Sequence, residues 1–71
     1  MKKKIFIEGM SCEHCVKHVK DALSEVVGVE GVDVNLAGNY AIVETNDEVS
    51  DEQLKETIEE VDYSVTNIET L

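Results

Sequence analysis

The chain has 71 residues, 42% of them apolar, and a formal net charge of −10 from 16 acidic and 6 basic residues. That suffices for one small domain over residues 1–71 and leaves no room for a substrate-sized cavity beside a catalytic apparatus. The acidity argues against nonspecific nucleic-acid binding, and no apolar run approaches the length that crosses a bilayer.

The charge is unevenly spread. Lys2, Lys3, Lys4, Lys17 and Lys20 lie in the first twenty residues against Glu8 and Glu13, and Lys55 is the only basic residue beyond them. The opening MKKKIFIEGM has a basic cluster but only Ile5 to Ile7 as an apolar run, too short for an export signal. This predicts a cytoplasmic protein without membrane insertion, in which the cysteines are reduced thiols.

KKKIFIE (2–8) reads as a strand, ended by Gly9. CVKHVKDALSEVV (15–27) reads as a helix, with Val16, Val19, Leu23 and Val26 on one stripe of a 3.6-residue repeat. Ser11 is its expected N-cap, which sets the helix start at or near the cysteines. GVEG (28–31) breaks the pattern, and VDVNL (32–36) alternates, with Val32, Val34 and Leu36 on one face. AGN (37–39) supplies the turn of a hairpin whose partner strand is YAIVET (40–45). Ser50 and Gln53 form a capping box opening a second helix, with Leu54, Ile58 and Val61 on one side. YSVTNIETL (63–71) closes the chain as a strand. The order βαββαβ predicts an α+β, ferredoxin-like sandwich, a four-stranded antiparallel sheet with two helices on one face.

The chemistry concentrates in EGMSCEHCVKHVK, residues 8–20. Cys12 and Cys15 fall between the first strand and the first helical turn, where free N–H groups and the helix dipole favour negative charge. Cys15 is expected to feel this more, and to ionise more easily than a free cysteine. Lys17 and Lys20 add positive potential nearby. Two soft thiolates at this spacing suit a soft metal, Cu(I) foremost, with Hg(II), Zn(II) and Cd(II) as competitors.

Strand–CxxC–helix also opens redox dithiol proteins of the thioredoxin type. Those set a cis-proline against the dithiol, and this chain has no proline. A closed zinc site needs four ligands. Cys12, Cys15, His14 and His18 supply four by count, but His14 lies inside the CxxC and would have to fold back. His18 sits away from the apolar stripe. Two solvated histidines is the simpler reading of the pair. No carboxylate–nucleophile constellation and no phosphate loop is present, so no enzyme is expected.

Gly9-Met10-Ser11-Cys12-Glu13-His14-Cys15 resembles the G-M-x-C-x-x-C motif of heavy-metal-associated (HMA) domains. The resemblance covers the whole chain, including VEGVDVNL after the first helix and VDYSV before the last strand. MSCEHC is most similar to bacterial cytoplasmic copper chaperones. The resemblance implies Cu(I) held by Cys12 and Cys15 and passed by thiolate ligand exchange to the metal-binding domains of a copper-exporting P-type ATPase. A copper-responsive repressor is a further implied partner. Met10 is implied as a buried anchor of the loop, and Tyr63 as the aromatic residue packed beside it. The family usually has Gly before that aromatic, whereas Asp62 stands here. Zinc and cadmium ATPase domains of the family often carry Asp after the Met, so Ser11 favours copper.

The expected function is therefore a small metallochaperone in copper homeostasis and metal transport. His14 is a candidate supplementary ligand or modulator of the thiolates, including in a metal-bridged dimer of an otherwise monomeric protein. Lys17 and Lys20 are candidate docking residues for an acidic partner surface. The alternative function is a module that binds or scavenges another thiophilic metal (Hg, Zn or Cd), or a metal-binding domain excised from a larger transporter. The Met start and the strand-terminal ETL fit a complete small protein. At residue level, Met10 as plain core filler, Tyr63 as an ordinary strand residue and the basic patch as solvated surface stay open.

Overall fold

The computed structural model describes residues 1–46 and 48–71. Its elements are β1 (Lys2–Glu8), α1 (Glu13–Ser24), β2 (Val29–Asn35), β3 (Tyr40–Thr45), α2 (Asp51–Glu59) and β4 (Ser64–Thr70). The strands form one sheet in the order β2-β3-β1-β4, and every neighbouring pair is antiparallel. The ferredoxin-like βαββαβ architecture expected from the sequence is present.

Alternation along the two central strands builds the core. Lys3, Ile5 and Ile7 of β1 and Ala41, Val43 and Thr45 of β3 are buried, while Lys4, Phe6, Tyr40 and Ile42 between them are half-buried on the opposite face. Pairing of Ile5 with Ala41 and Lys3 with Val43 aligns the buried sets across the ladder. The helices close that face with Val19 and Leu23 of α1 and Leu54 and Ile58 of α2. Fully burying each of these large aliphatic side chains is worth roughly 1.5–3 kcal/mol. On the other face the Lys4 ammonium lies 4.4 Å from the Tyr40 ring centroid and 5.0 Å from that of Phe6.

Several boundaries differ from the sequence reading, each for a local reason. Ser11 is not the N-cap. Cys12 holds that position with extended backbone (φ −158°, ψ 174°), and its carbonyl accepts from the N–H groups of Cys15 at 3.1 Å and Val16 at 3.3 Å. No side chain caps α1. The helix ends at Ser24, earlier than Val27, because Val26 donates to Leu23 in a turn and Gly28 then takes φ +100°. A Cβ on Gly28 would meet the Val49 side chain at 2.6 Å, so only glycine fits that reversal. β2 starts at Val29 and absorbs GVEG through an irregular register between Val29 and Gly31. The capping box at α2 is as expected, with the Ser50 hydroxyl accepting from the Gln53 N–H at 3.1 Å.

Lys3 is the main surprise in the core. Its side chain points to the helix side with the isoleucines of β1 and forms an ion pair with Asp51 at the start of α2. The pair ties the second helix to the central strand.

Candidate metal centre

Antiparallel pairing brings the β1–α1 loop, the β2–β3 hairpin and the α2–β4 turn to one end of the sheet. β1 leaves the sheet at Glu8, which pairs with Ser64 at the start of β4. The β1–α1 loop and the α2–β4 turn are therefore neighbours. Gly9 takes φ +101°, and a Cβ there would lie 3.2 Å from the Tyr63 ring. Glycine thus permits both the turn out of β1 and the close approach of the aromatic ring. Met10 follows and turns inward, 7% exposed, joining the core cluster. The loop is anchored there, and the next residues, Ser11 and Cys12, are exposed.

The two sulfurs face each other. Cys12 Sγ and Cys15 Sγ lie 3.7 Å apart as free thiols, with Cys12 exposed and Cys15 partly packed against the core. Cys15 is held well below its ordinary value of 9.0, at about 6. The Ser11 backbone N–H contributes most, then the Tyr63 hydroxyl, with the thiol and backbone of Cys12 adding to them against the opposing effect of desolvation. Each donor stabilises the thiolate. Tyr63 is pushed the other way, up to about 12, first by its hydrogen bond to Cys15. Easier ionisation at Cys15 was expected from free N–H groups and the dipole at the helix start, with the lysines nearby. The direction holds, and backbone groups of Ser11 and Cys12 are among its causes, joined by the Tyr63 hydroxyl and the Cys12 thiol.

Tyr63 lies between α2 and β4, outside the strand. Its N–H donates to the Ile58 carbonyl at 3.3 Å, and that of Asp62 to Glu59 at 3.1 Å. This is the Schellman pattern that ends many helices, with a left-handed residue at its centre. Asp62 occupies that place at φ +68°. An aspartate therefore adopts the conformation that glycine favours, and the turn that presents Tyr63 is formed without one.

The other singled-out residues lie on the exposed side of α1. His14, Lys17, His18 and Lys20 are all exposed. Among the described residues no group of three or more His, Cys, Asp or Glu side chains is arranged to hold a metal ion. Cys12, Cys15, Met10 and Tyr63 come together, whereas the four-ligand set with His14 and His18 does not assemble. Two contributors escaped the sequence reading. The Ser11 backbone N–H has no signature of its own, and the contact of Gly9 with Tyr63 was signalled only by glycine directly after a strand.

The heavy-metal-associated domain matches residues 4–64. The chain belongs to the heavy-metal-associated domain family. Among its relatives, a copper chaperone CopZ of Staphylococcus epidermidis is 50% identical over 64 residues, covering 89% of this chain and 94% of that protein. A solved CopZ metallochaperone superposes with a TM-score of 0.90 at 37% identity, covering 93% of this chain and 100% of that one. A copper binding domain from HMA7, a P-type ATPase, gives a TM-score of 0.87 at 32% identity, covering 99% and 100%. Each of these heavy-metal-associated proteins is named as a metal carrier or metal-binding domain. No helix of the chain is long and apolar enough to cross a membrane among the described residues.

Proposed function

We propose that this single-domain protein is a metallochaperone that carries Cu(I) on Cys12 and Cys15 in the cytoplasm and hands it to a metal-binding domain of a copper-exporting P-type ATPase. The observation that carries the reading is the thiol pair, 3.7 Å apart at an exposed loop, with Cys15 held as a thiolate near neutral pH. Soft thiolates select Cu(I) over harder cations. The similarity to proteins named copper chaperone supports the cargo, and the similarity to an ATPase copper binding domain supports the acceptor.

Transfer proceeds by ligand exchange. With metal–sulfur bonds of the zinc–thiolate length, about 2.3 Å, two sulfurs on opposite sides of an ion stand about 4.6 Å apart. The thiols must open by roughly this difference to hold copper near-linearly, and exposed Cys12 can do so by a side-chain rotation. A thiolate of the acceptor then attacks the copper and forms a three-coordinate bridge. Cys12, the more exposed ligand, leaves first. Cys15 leaves after a second acceptor thiolate has bound. Copper is never released to water, and no electron changes hands. Tyr63 and Ser11 stabilise Cys15 as its charge returns, while buried Met10 holds the loop. His14, exposed beside Cys15, is placed in this scheme as a supplementary ligand when two copies share copper. Lys17 and Lys20 steer docking toward an acidic acceptor, and a copper-responsive repressor is a second recipient.

The test is transfer from the Cu(I)-loaded protein to an ATPase copper-binding domain, followed under anaerobic conditions. Lys17→Glu with Lys20→Glu should slow transfer at low salt by about tenfold, since electrostatic steering is worth at least that much. Copper affinity should be unchanged. Transfer at the wild-type rate would refute the docking role, and failure of wild-type to transfer would refute delivery itself.

A further inference from the structure

The copper reading gives His14 only an accessory role between two copies and gives His18 none. His14 and His18 both lie within α1 (Glu13–Ser24), and both are exposed. Residues four apart on a helix stand on one face, with Cβ atoms about 5–6 Å apart. Their side chains lean the same way, toward the helix N-terminus. HCVKH thus has the H-x-x-x-H spacing by which a helix presents two imidazoles to one metal ion. Neither histidine enters a salt bridge among the described residues.

We propose that His14 and His18 form a second metal site, a two-imidazole chelate for a borderline divalent cation such as Zn(II), Ni(II) or Cu(II), separate from the thiol pair. Imidazole suits these ions, whereas Cu(I) prefers thiolates. The ligand set is two imidazoles completed by water, because no third protein ligand joins them among the described residues. The ion is therefore held loosely and exchanges readily. Lys17, between the histidines, opposes it, and Asp21, three residues past His18, offsets that charge. A bound dication would add to the positive patch of Lys17 and Lys20 on an otherwise acidic protein. Metal at this site would thereby alter docking at the neighbouring thiol loop without occupying it.

The test removes the thiols, so that copper-type binding cannot contribute. The Cys12→Ser, Cys15→Ser protein is titrated with Ni(II) alone, and broadening of the His14 and His18 ring resonances by the paramagnetic ion is followed by NMR. Both should broaden together at the same nickel concentration. Adding His18→Ala should raise the nickel needed to broaden His14 at least tenfold. Adding His18→Ala and Lys20→His keeps two histidines on the helix but breaks the four-residue spacing, and should need as much nickel as His18→Ala alone. A rise smaller than tenfold in either variant overturns the chelate. Cys12, His18 and Lys20 are exposed and Cys15 is half-buried, and circular dichroism checks that each variant is folded. Failure here leaves Cu(I) delivery by the thiols intact, because the test contains no thiol.

Discussion

Replacing Tyr63 by Phe removes one hydroxyl and keeps the ring that packs against Gly9. In the structure that hydroxyl is the second-largest influence holding Cys15 at about 6, three below its ordinary 9.0. Ser11, Tyr63 and both groups of Cys12 act in that direction, Ser11 most and Tyr63 next, against the opposing effect of desolvation, so the hydroxyl's share is on the order of one pH unit. Tyr63→Phe should therefore raise the Cys15 midpoint to about 7. At pH 7 the thiolate fraction then falls from about 90% to about 50%. The assay is the pH dependence of iodoacetamide alkylation of metal-free, reduced protein, read at Cys15 by peptide mass spectrometry so that Cys12 stays in place. Lys17→Glu with Lys20→Glu serves as the comparison and should move the midpoint less. An unchanged midpoint in Tyr63→Phe, or a larger change in the lysine variant, would return the effect to the general field of the helix start and its charges.

Three further outcomes concern stability. Asp62→Gly should stabilise the protein by about 0.5–1 kcal/mol, because a left-handed side-chain-bearing residue costs roughly 1–2 kcal/mol and glycine returns part of that as backbone entropy; a lower denaturant midpoint would contradict this. Asp51→Asn should cost roughly 1–2 kcal/mol and Lys3→Met less, since Asp51 is half exposed while the Lys3 side chain is only 10% exposed and would be left unpaired. Equal losses in the two would refute that asymmetry. In the reduced, metal-free protein the Cys15 thiol has a folded value of about 6 against 9.0 unfolded. Its contribution is full above pH 9 and is lost as pH falls through 6, so the Tm difference between wild-type and Cys15→Ser should widen as pH rises across that window. A constant difference would show that the lowered value is absent.

The elements were legible because burial is periodic. β1 and β3 alternate strictly, α1 and α2 carry apolar stripes, and the Ser50 box marks its helix start. The CxxC loop was legible because thiol chemistry needs those residues at that spacing. Long-range placement was not. Lys3 looked like part of a solvated basic cluster, yet the same alternation that buries Ile5 and Ile7 carries it inward to Asp51. Ser11 is the better N-cap by preference, but the buried anchor at Met10 decides how the chain enters α1 and leaves Cys12 at the cap. The influence of Tyr63 on Cys15 links residues far apart in the chain, and the pairing of Glu8 with Ser64 brings their loops together.

The most direct measurement is anaerobic competition for metal. Reduced protein is titrated with Cu(I) and with Zn(II) against chelators of graded strength, beside Cys12→Ser and Cys15→Ser. Wild-type should hold one Cu(I) against a chelator that strips both variants, and should yield Zn(II) to a weak one. Retention of Zn(II) against a strong chelator with loss of Cu(I) to a weak one would contradict the account, as would Cu(I) held undiminished by either cysteine variant.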